Sequence, residues 1–259
     1  MKNIVVVIGA DNVGKNTLIR LLNSIKSIFI PSIIFNRTST IISEMKKYNL
    51  NLRDAIKIYN AQKNKNKFNI DENGINYAFV KNIDNSNILL KYSGLNSPKY
   101  KLSKDINILY DSYTLKFIKV KRNLIISLFA SIGEYLSYDK KDLNTILNEF
   151  RTECNDNVID NNDKYADLIL EHTDILNNPY ETREIILKSN IFINIDKNLP
   201  KINFNKYNTP YNKYITIYEK EMMQKFMNKY DFKKLYYELV EEYRDKCNKI
   251  EKFDHVFNK

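Results

Sequence analysis

The residues best placed to do chemistry stand together near the amino terminus, in the run Gly9-Ala10-Asp11-Asn12-Val13-Gly14-Lys15-Asn16-Thr17. A glycine, four residues, a second glycine and a lysine is the spacing of a phosphate-binding loop. Glycine allows a turn tight enough for backbone N–H groups to converge on phosphate oxygens, and the helix that follows adds positive potential at its start. Lys15 would reach the β- and γ-phosphates of a nucleoside triphosphate such as ATP. Gly9, Asn12, Val13, Gly14, Asn16 and Thr17 would line the same ligand. The chain holds only five glycines, so two at these positions strengthen the pattern. The usual Ser or Thr directly after the lysine is here Asn16. A hydroxyl follows one place later, at Thr17, and is the expected Mg²⁺ ligand.

Such a loop needs a strand before it and a helix after it. Residues 4–8 form a continuous, mostly β-branched run, which predicts a buried parallel strand. Residues 17–28 place Leu18, Leu21, Leu22 and Ile25 at helical spacing. A second strand is expected at 32–35, with helices at 40–48 and 52–63. Beyond the turn signal Asp71-Glu72-Asn73-Gly74, the apolar stretches 75–80 and 88–92 read as a β-hairpin-like insertion. Residues 106–110 predict another buried strand, ending at Asp111. Helical periodicity covers 123–153 and 164–176, and Pro179 opens a further segment. Residues 191–195 predict a strand ending at Asp196. Residues 197–213, rich in Asn and Lys with Pro200 and Pro210, predict a mobile, lid-like loop. Residues 217–252 predict a long amphipathic helical region, broken near Asp231. The order of elements predicts an α/β fold in three layers, a P-loop NTPase fold with a mainly parallel central sheet flanked by helices. One domain, 1–259, is expected, with insertions at 64–104 and 120–188.

Composition narrows the chemistry. Cys154 and Cys247 match no metal spacing and no disulfide framework, and His172 and His255 each stand alone. A zinc site and a Ser–His–Asp hydrolase are therefore not expected. The formal charge of +10 raises a nucleic-acid reading. However, the basic residues are mostly Lys and are interleaved with acids along the whole chain, so the partners expected are small anionic nucleotides. No apolar run is long enough to span a bilayer, and the first residues enter a glycine loop, not a cleavage site. A cytoplasmic chain without membrane contact is expected.

The loop and several later segments resemble the thymidylate kinase family. The Lys15-Asn16-Thr17 ending is similar to that of nucleoside monophosphate kinases. Asp11 stands where thymidylate kinases carry an acid facing the deoxyribose 3′-hydroxyl of the monophosphate. Ile34-Phe35-Asn36-Arg37-Thr38-Ser39-Thr40 resembles the family's segment after the second strand, without its proline, and makes Arg37 the acceptor-phosphate ligand. Tyr59-Asn60-Ala61-Gln62-Lys63 resembles the FxANR motif, with Tyr59 stacking on the base and Lys63 in place of Arg. Asp111-Ser112-Tyr113 resembles the DRY motif. The run 191–196, followed by Tyr218-Glu219-Lys220-Glu221 and Phe226, resembles the last strand and the RYE-containing helix. These matches are collinear and span about half of the chain.

The resemblance implies transfer of the γ-phosphate of ATP to a deoxynucleoside monophosphate, most simply dTMP, with ATP and Mg²⁺ as cofactors and a homodimer as the assembly. Lys15, Asp11, Arg37 and Asp111 would be catalytic. Asp11, Arg37, Tyr59 and Lys63 would hold the acceptor, and Thr17 and Asp111 the metal. The sequence departs from the family at three arginines. The Arg of DRY is Ser112, the loop Arg is Asn12, and residues 197–213 contain only Lys197, Lys201, Lys206 and Lys213. Lysine does not reproduce the planar guanidinium fork, which leaves Lys116, Lys119 and Arg122 as substitutes. Two alternatives stay open: another P-loop deoxynucleotide or deoxynucleoside kinase, the latter disfavoured by Asp11, and a nucleotide-binding or assembly protein that has lost the chemistry.

Overall fold

The computed structural model describes residues 3–10, 12–23, 25, 27–29, 49, 87–91, 114–155, 163, 166–195, 199, 201–202, 204–246 and 253–257. Its strands are β1 (Asn3–Ile8), β2 (Ile28–Phe29), β3 (Asn87–Lys91), β4 (Thr114–Lys121) and β5 (Leu168–Glu171). They form one sheet in the order β2-β3-β1-β4-β5. Every pairing is parallel, with Val7 opposite both Lys91 and Ile118. All six residues of β1 are buried, because a central parallel strand is covered on both faces and gains from apolar side chains on each. The α/β class expected from the sequence is the one observed.

Helices α1 (Lys15–Asn23), α2 (Leu124–Ser137), α3 (Leu143–Asn155), α4 (His172–Asn177), α5 (Pro179–Lys188), α6 (Ile217–Gln224) and α7 (Phe232–Glu242) follow, with a 3-10 helix at Phe253–Phe257. One core lies between the sheet and α1, α4 and α5. It joins Val5, Val7, Leu89, Ile118, Val120 and Leu170 to Leu18, Leu21, Leu22, Ile175 and Ile186. The other parity of β1 and β3, Ile4, Val6, Ile8, Ile88 and Leu90, is equally buried. A second core is built on α2. Phe129 is fully buried there, 4.9 Å from the ring of Phe257 and 5.9 Å from that of Phe232. Asn123 caps α2, its side-chain oxygen accepting from the backbone N–H of Ile125 and Ile126, which offsets the unpaired donors of the first turn.

Several expectations are corrected. The helix predicted over 17–28 ends at Asn23, and Ile28 belongs to β2. Of the stretch 88–92, the described residues 88–91 do not form a hairpin arm: β3 pairs in parallel with β1 and β2, inside the sheet. β4 was not expected, because Lys116, Lys119 and Lys121 interrupt its apolar residues. The run 164–176 is not one helix. Leu168–Glu171 is a strand, and the helix starts only at His172. Residues 191–195 form no strand. The Ile191 carbonyl instead accepts from the Asn3 side chain at 2.5 Å. The Asn87 side chain both accepts from the Ile193 N–H, at 2.9 Å, and donates to the Ile193 carbonyl, at 2.5 Å. These side chains take the place of a ladder. The region 197–213 is anchored at its described residues: Leu199, Ile202 and Phe204 pack on the first core, and Asn208 is buried. The break expected near Asp231 is present, and Asp231 caps α7. The predicted elements at 32–35, 40–48, 52–63, 75–80 and 106–110 lie outside the described residues.

Candidate functional site

β1 occupies the centre of the sheet, with β2 and β3 on one side and β4 and β5 on the other. The order reverses at β1, and the crevice beyond the carboxyl ends of the strands at such a point is where open α/β sheets place ligands. The loop leaving β1 turns with Gly9 at φ +144°, Asn12 at +56° and Gly14 at +98°. A Cβ on Gly9 would stand 2.7 Å from the Val120 carbonyl oxygen, so the loop rests directly on the end of β4. Lys15 opens α1 and its side chain folds back. Its ammonium donates to the carbonyls of Gly9 at 2.6 Å and Ala10 at 2.5 Å, and the residue is only 6% exposed. The cation is thus enclosed by the loop. Thr17 is buried one turn along.

Gly9, Asn12, Val13, Gly14, Lys15, Asn16 and Thr17 all lie in this loop and the first turn of α1. Asp11, Arg37, Tyr59, Lys63 and Asp111 lie outside the described residues. The three cations named as substitutes for the absent arginines each engage a carboxylate. Lys116 bonds to Asp167 at 2.9 Å; Lys119, together with Lys121, bonds to Asp163; Arg122 bonds to Glu219.

Arg122 does more than pair. It leaves the end of β4 with its side chain 2% exposed and forks onto the carboxylate of Glu219 at 2.7 and 3.0 Å. It also donates to the carbonyls of Asn12 and Tyr214, each at 2.8 Å. The Asn12 carbonyl belongs to the glycine loop after β1, so the guanidinium ties that loop to the start of α6. Glu219 is fixed in turn by a capping box: its carboxylate accepts from the Thr216 N–H, and its own N–H donates to the Thr216 hydroxyl. On the far side of the loop, the Asn12 amide donates to the Ser131 hydroxyl at 2.7 Å. His172, the first residue of α4, packs its ring against Gly14 and is 1% exposed. Its Nδ1 is buried without a hydrogen-bond partner. Lys91, at the end of β3, donates to the Asn16 amide oxygen at 2.9 Å.

Sequence reasoning assigned no role to His172 or Lys91, and did not foresee that Arg122 and Glu219 would meet. The capping box Thr216-Ile217-Tyr218-Glu219 is legible as a pattern, but Arg122 is brought to it only by the fold.

Two titrating groups in this cluster give a pH dependence. Burial, with the nearby Arg122 charge, pushes the His172 imidazole down to about 3, against a partial opposing effect of Glu219. Burial pushes the Glu219 carboxyl up. The Arg122 charge and hydrogen bonds, with His172 and the Thr216 N–H, outweigh it and hold Glu219 at about 2. Both groups bind protons more readily once unfolded, near 6.5 for His and just above 4 for Glu. Stability is therefore fully present above pH 6.5 and falls as the pH drops, by about 1.4 kcal/mol per unit for each proton taken up only by the unfolded chain. Urea unfolding at a series of pH values should show a decline between pH 6.5 and 4.5 and a steeper one below. In His172→Gln the upper decline should vanish and the lower persist; an unchanged upper slope would exclude His172 as its source.

Comparison with protein-family models and with curated proteins finds no match to this chain. Among the described residues, no helix is long and apolar enough to cross a membrane, and no group of three or more His, Cys, Asp or Glu side chains could hold a metal ion.

Proposed function

We propose that the chain is a P-loop phosphotransferase resembling thymidylate kinases, which passes the γ-phosphate of ATP to a deoxynucleoside monophosphate, with dTMP the first acceptor to test. The observation that carries this reading is the enclosed Lys15 ammonium in a glycine loop at the carboxyl end of the central parallel strand. Phosphoryl transfer asks little covalent chemistry of a protein. It asks for two anionic ligands in line and cations over the transferred group. Lys15 serves the donor. Arg37 and Lys63 serve the acceptor phosphate, Asp11 its sugar and Tyr59 its base. Magnesium, which would neutralise phosphate charge, suits the Thr17 hydroxyl, the nucleotide's own phosphates and the Asp111 carboxylate. A three-layer P-loop fold and a homodimer belong to the same proposal.

The test is ADP release with ATP, Mg²⁺ and a panel of nucleoside monophosphates and nucleosides. Turnover that depends on a deoxynucleoside monophosphate and disappears in Lys15→Ala is expected. A preference for nucleosides, or for several bases equally, would move the assignment to another deoxynucleotide or deoxynucleoside kinase. A second reading, nucleotide binding without transfer, is favoured by the engagement of Arg122, Lys119 and Lys116 with carboxylates. It predicts ATP binding in calorimetry with no acceptor-dependent ADP release across the whole panel.

A further inference from the structure

We propose that Asn12 is a positioning residue, locked between Arg122 and Ser131, and that this lock aims the backbone N–H groups of the loop at the β-phosphate of a nucleoside diphosphate or triphosphate. The proposal rests on the nucleotide-binding reading above and adds to it the residues that shape the cradle. Asn12 is held at both of its polar ends. Its carbonyl accepts from the Arg122 guanidinium at 2.8 Å, and its side-chain amide donates to the Ser131 hydroxyl at 2.7 Å. The residue between those two contacts is left-handed, at φ +56°. Asparagine is among the side chains that take this conformation most readily. Glycine would take it as well, and would offer α2 nothing to grip.

The direction of the Ser131 bond is set by a second partner. The hydroxyl has one hydrogen, and it goes to the Ser127 carbonyl at 3.0 Å, one turn back along α2. Toward Asn12 the hydroxyl therefore acts as an acceptor, and a hydroxyl that is already donating accepts more strongly. Both grips come from one stretch of chain. Arg122 stands directly before the Asn123 cap of α2, and Ser131 lies about two turns into that helix. The second core holds α2 itself through Ile125, Leu128, Phe129 and Ile132. Asn12 is thus seated on a rigid element. Two residues on, Gly14 rests against the His172 ring. The segment between them holds Val13, which is buried, so it is pinned at both ends. Successive N–H groups in such a turn form an anion-binding concavity. Pinning spares the ligand the cost of ordering the loop. A nucleoside monophosphate has no β-phosphate and gains nothing from the lock.

The measurement is ATP, ADP and AMP affinity by calorimetry in excess Mg²⁺, for the wild type, Asn12→Gly, Ser131→Ala, Ser131→Thr and the double variant Asn12→Gly with Ser131→Ala. Asn12→Gly keeps the left-handed backbone and removes the amide. Ser131→Ala leaves the loop untouched and removes the acceptor on α2. Each should weaken ATP and ADP by roughly three- to tenfold, the worth of one hydrogen bond, and leave AMP within about twofold. The double variant should bind no worse than the weaker of the two singles, because both changes delete the same bond. Ser131→Thr keeps the hydroxyl and should bind within about twofold of the wild type. General damage to the fold would weaken all three nucleotides together, so the ratio of ATP to AMP affinity and the threonine rescue separate the lock from it. Should Asn12→Gly not fold, Ser131→Ala and Ser131→Thr test the same bond from the helix side. ATP and ADP affinities unchanged in both single variants would overturn the proposal while leaving the nucleotide reading intact. So would additive losses in the double variant, or an equal loss for AMP. A wild type that binds neither ATP nor ADP would overturn both.

Discussion

Arg122→Ala is expected to cost the fold about 3–5 kcal/mol, the range for removing one partner of a buried ion pair, and to lower the melting temperature by roughly 10 °C. The size follows from what is left behind. Glu219 would keep a carboxylate largely out of solvent without the charge that stabilises it. The carbonyls of Asn12 and Tyr214 would each lose a donor. Because the Asn12 carbonyl lies in the loop proposed to hold phosphate, the substitution should also weaken ATP binding at a temperature where the variant is still folded. The check is a double-variant cycle. Arg122→Met with Glu219→Leu removes both charges, and should be less destabilised than the sum of the two single changes, since neither buried charge is then unpaired. Additive losses would mean that the pair is incidental.

Gly14→Ala should be comparably damaging, for a reason that can be divided in two. The backbone there has φ +98°, a conformation that costs a non-glycine residue on the order of 1–3 kcal/mol. A Cβ would in addition stand 2.0 Å from Cδ2 and 2.7 Å from Nε2 of the His172 ring, and the ring is enclosed and cannot swing away. Loss of about 3 kcal/mol or more is expected, with ATP affinity falling as the loop is displaced. His172→Ala removes the overlap and not the backbone strain. The double variant should therefore recover part of the loss, measured by urea unfolding as a coupling between the two sites. Full recovery would show that backbone strain is negligible. No coupling would show that the ring does not press on the loop.

The contrast between what could and could not be read along the chain has a physical basis. β1, the loop and α1 were legible because one short segment carries all their signals: a β-branched run, spaced glycines and an apolar helical face. Pro179 marked the start of α5, and the break expected near Asp231 falls where that residue caps α7, for equally local reasons. β4 was not legible. Its lysines look like a solvated face until Asp163, far along the chain, closes on Lys119 and Lys121. β3 carries the same apolar residues whether it pairs in a hairpin or in the middle of a parallel sheet, and only its neighbours decide. The run 191–195 has the composition of a strand, yet its hydrogen bonds go to the side chains of Asn3 and Asn87. At the site, local pattern found the glycine loop between β1 and α1. It named Arg122 as a substitute cation without its place against the loop, and it did not find the imidazole or the Lys91 ammonium, because each arrives from a different element.

The Arg122 fork joins the loop at Asn12 to Tyr214 and Glu219, which lie far along the chain from it. On a ribosome, the loop emerges well before its clasp. At about 5–20 residues per second, the nascent chain waits on the order of ten to forty seconds between making the loop and making α6. During that interval Arg122 has no carboxylate to grip, and the loop lacks the contact that ties it down. A chain stalled or cut before α6 would contain every residue of the 9–17 motif and still present an unfinished cradle.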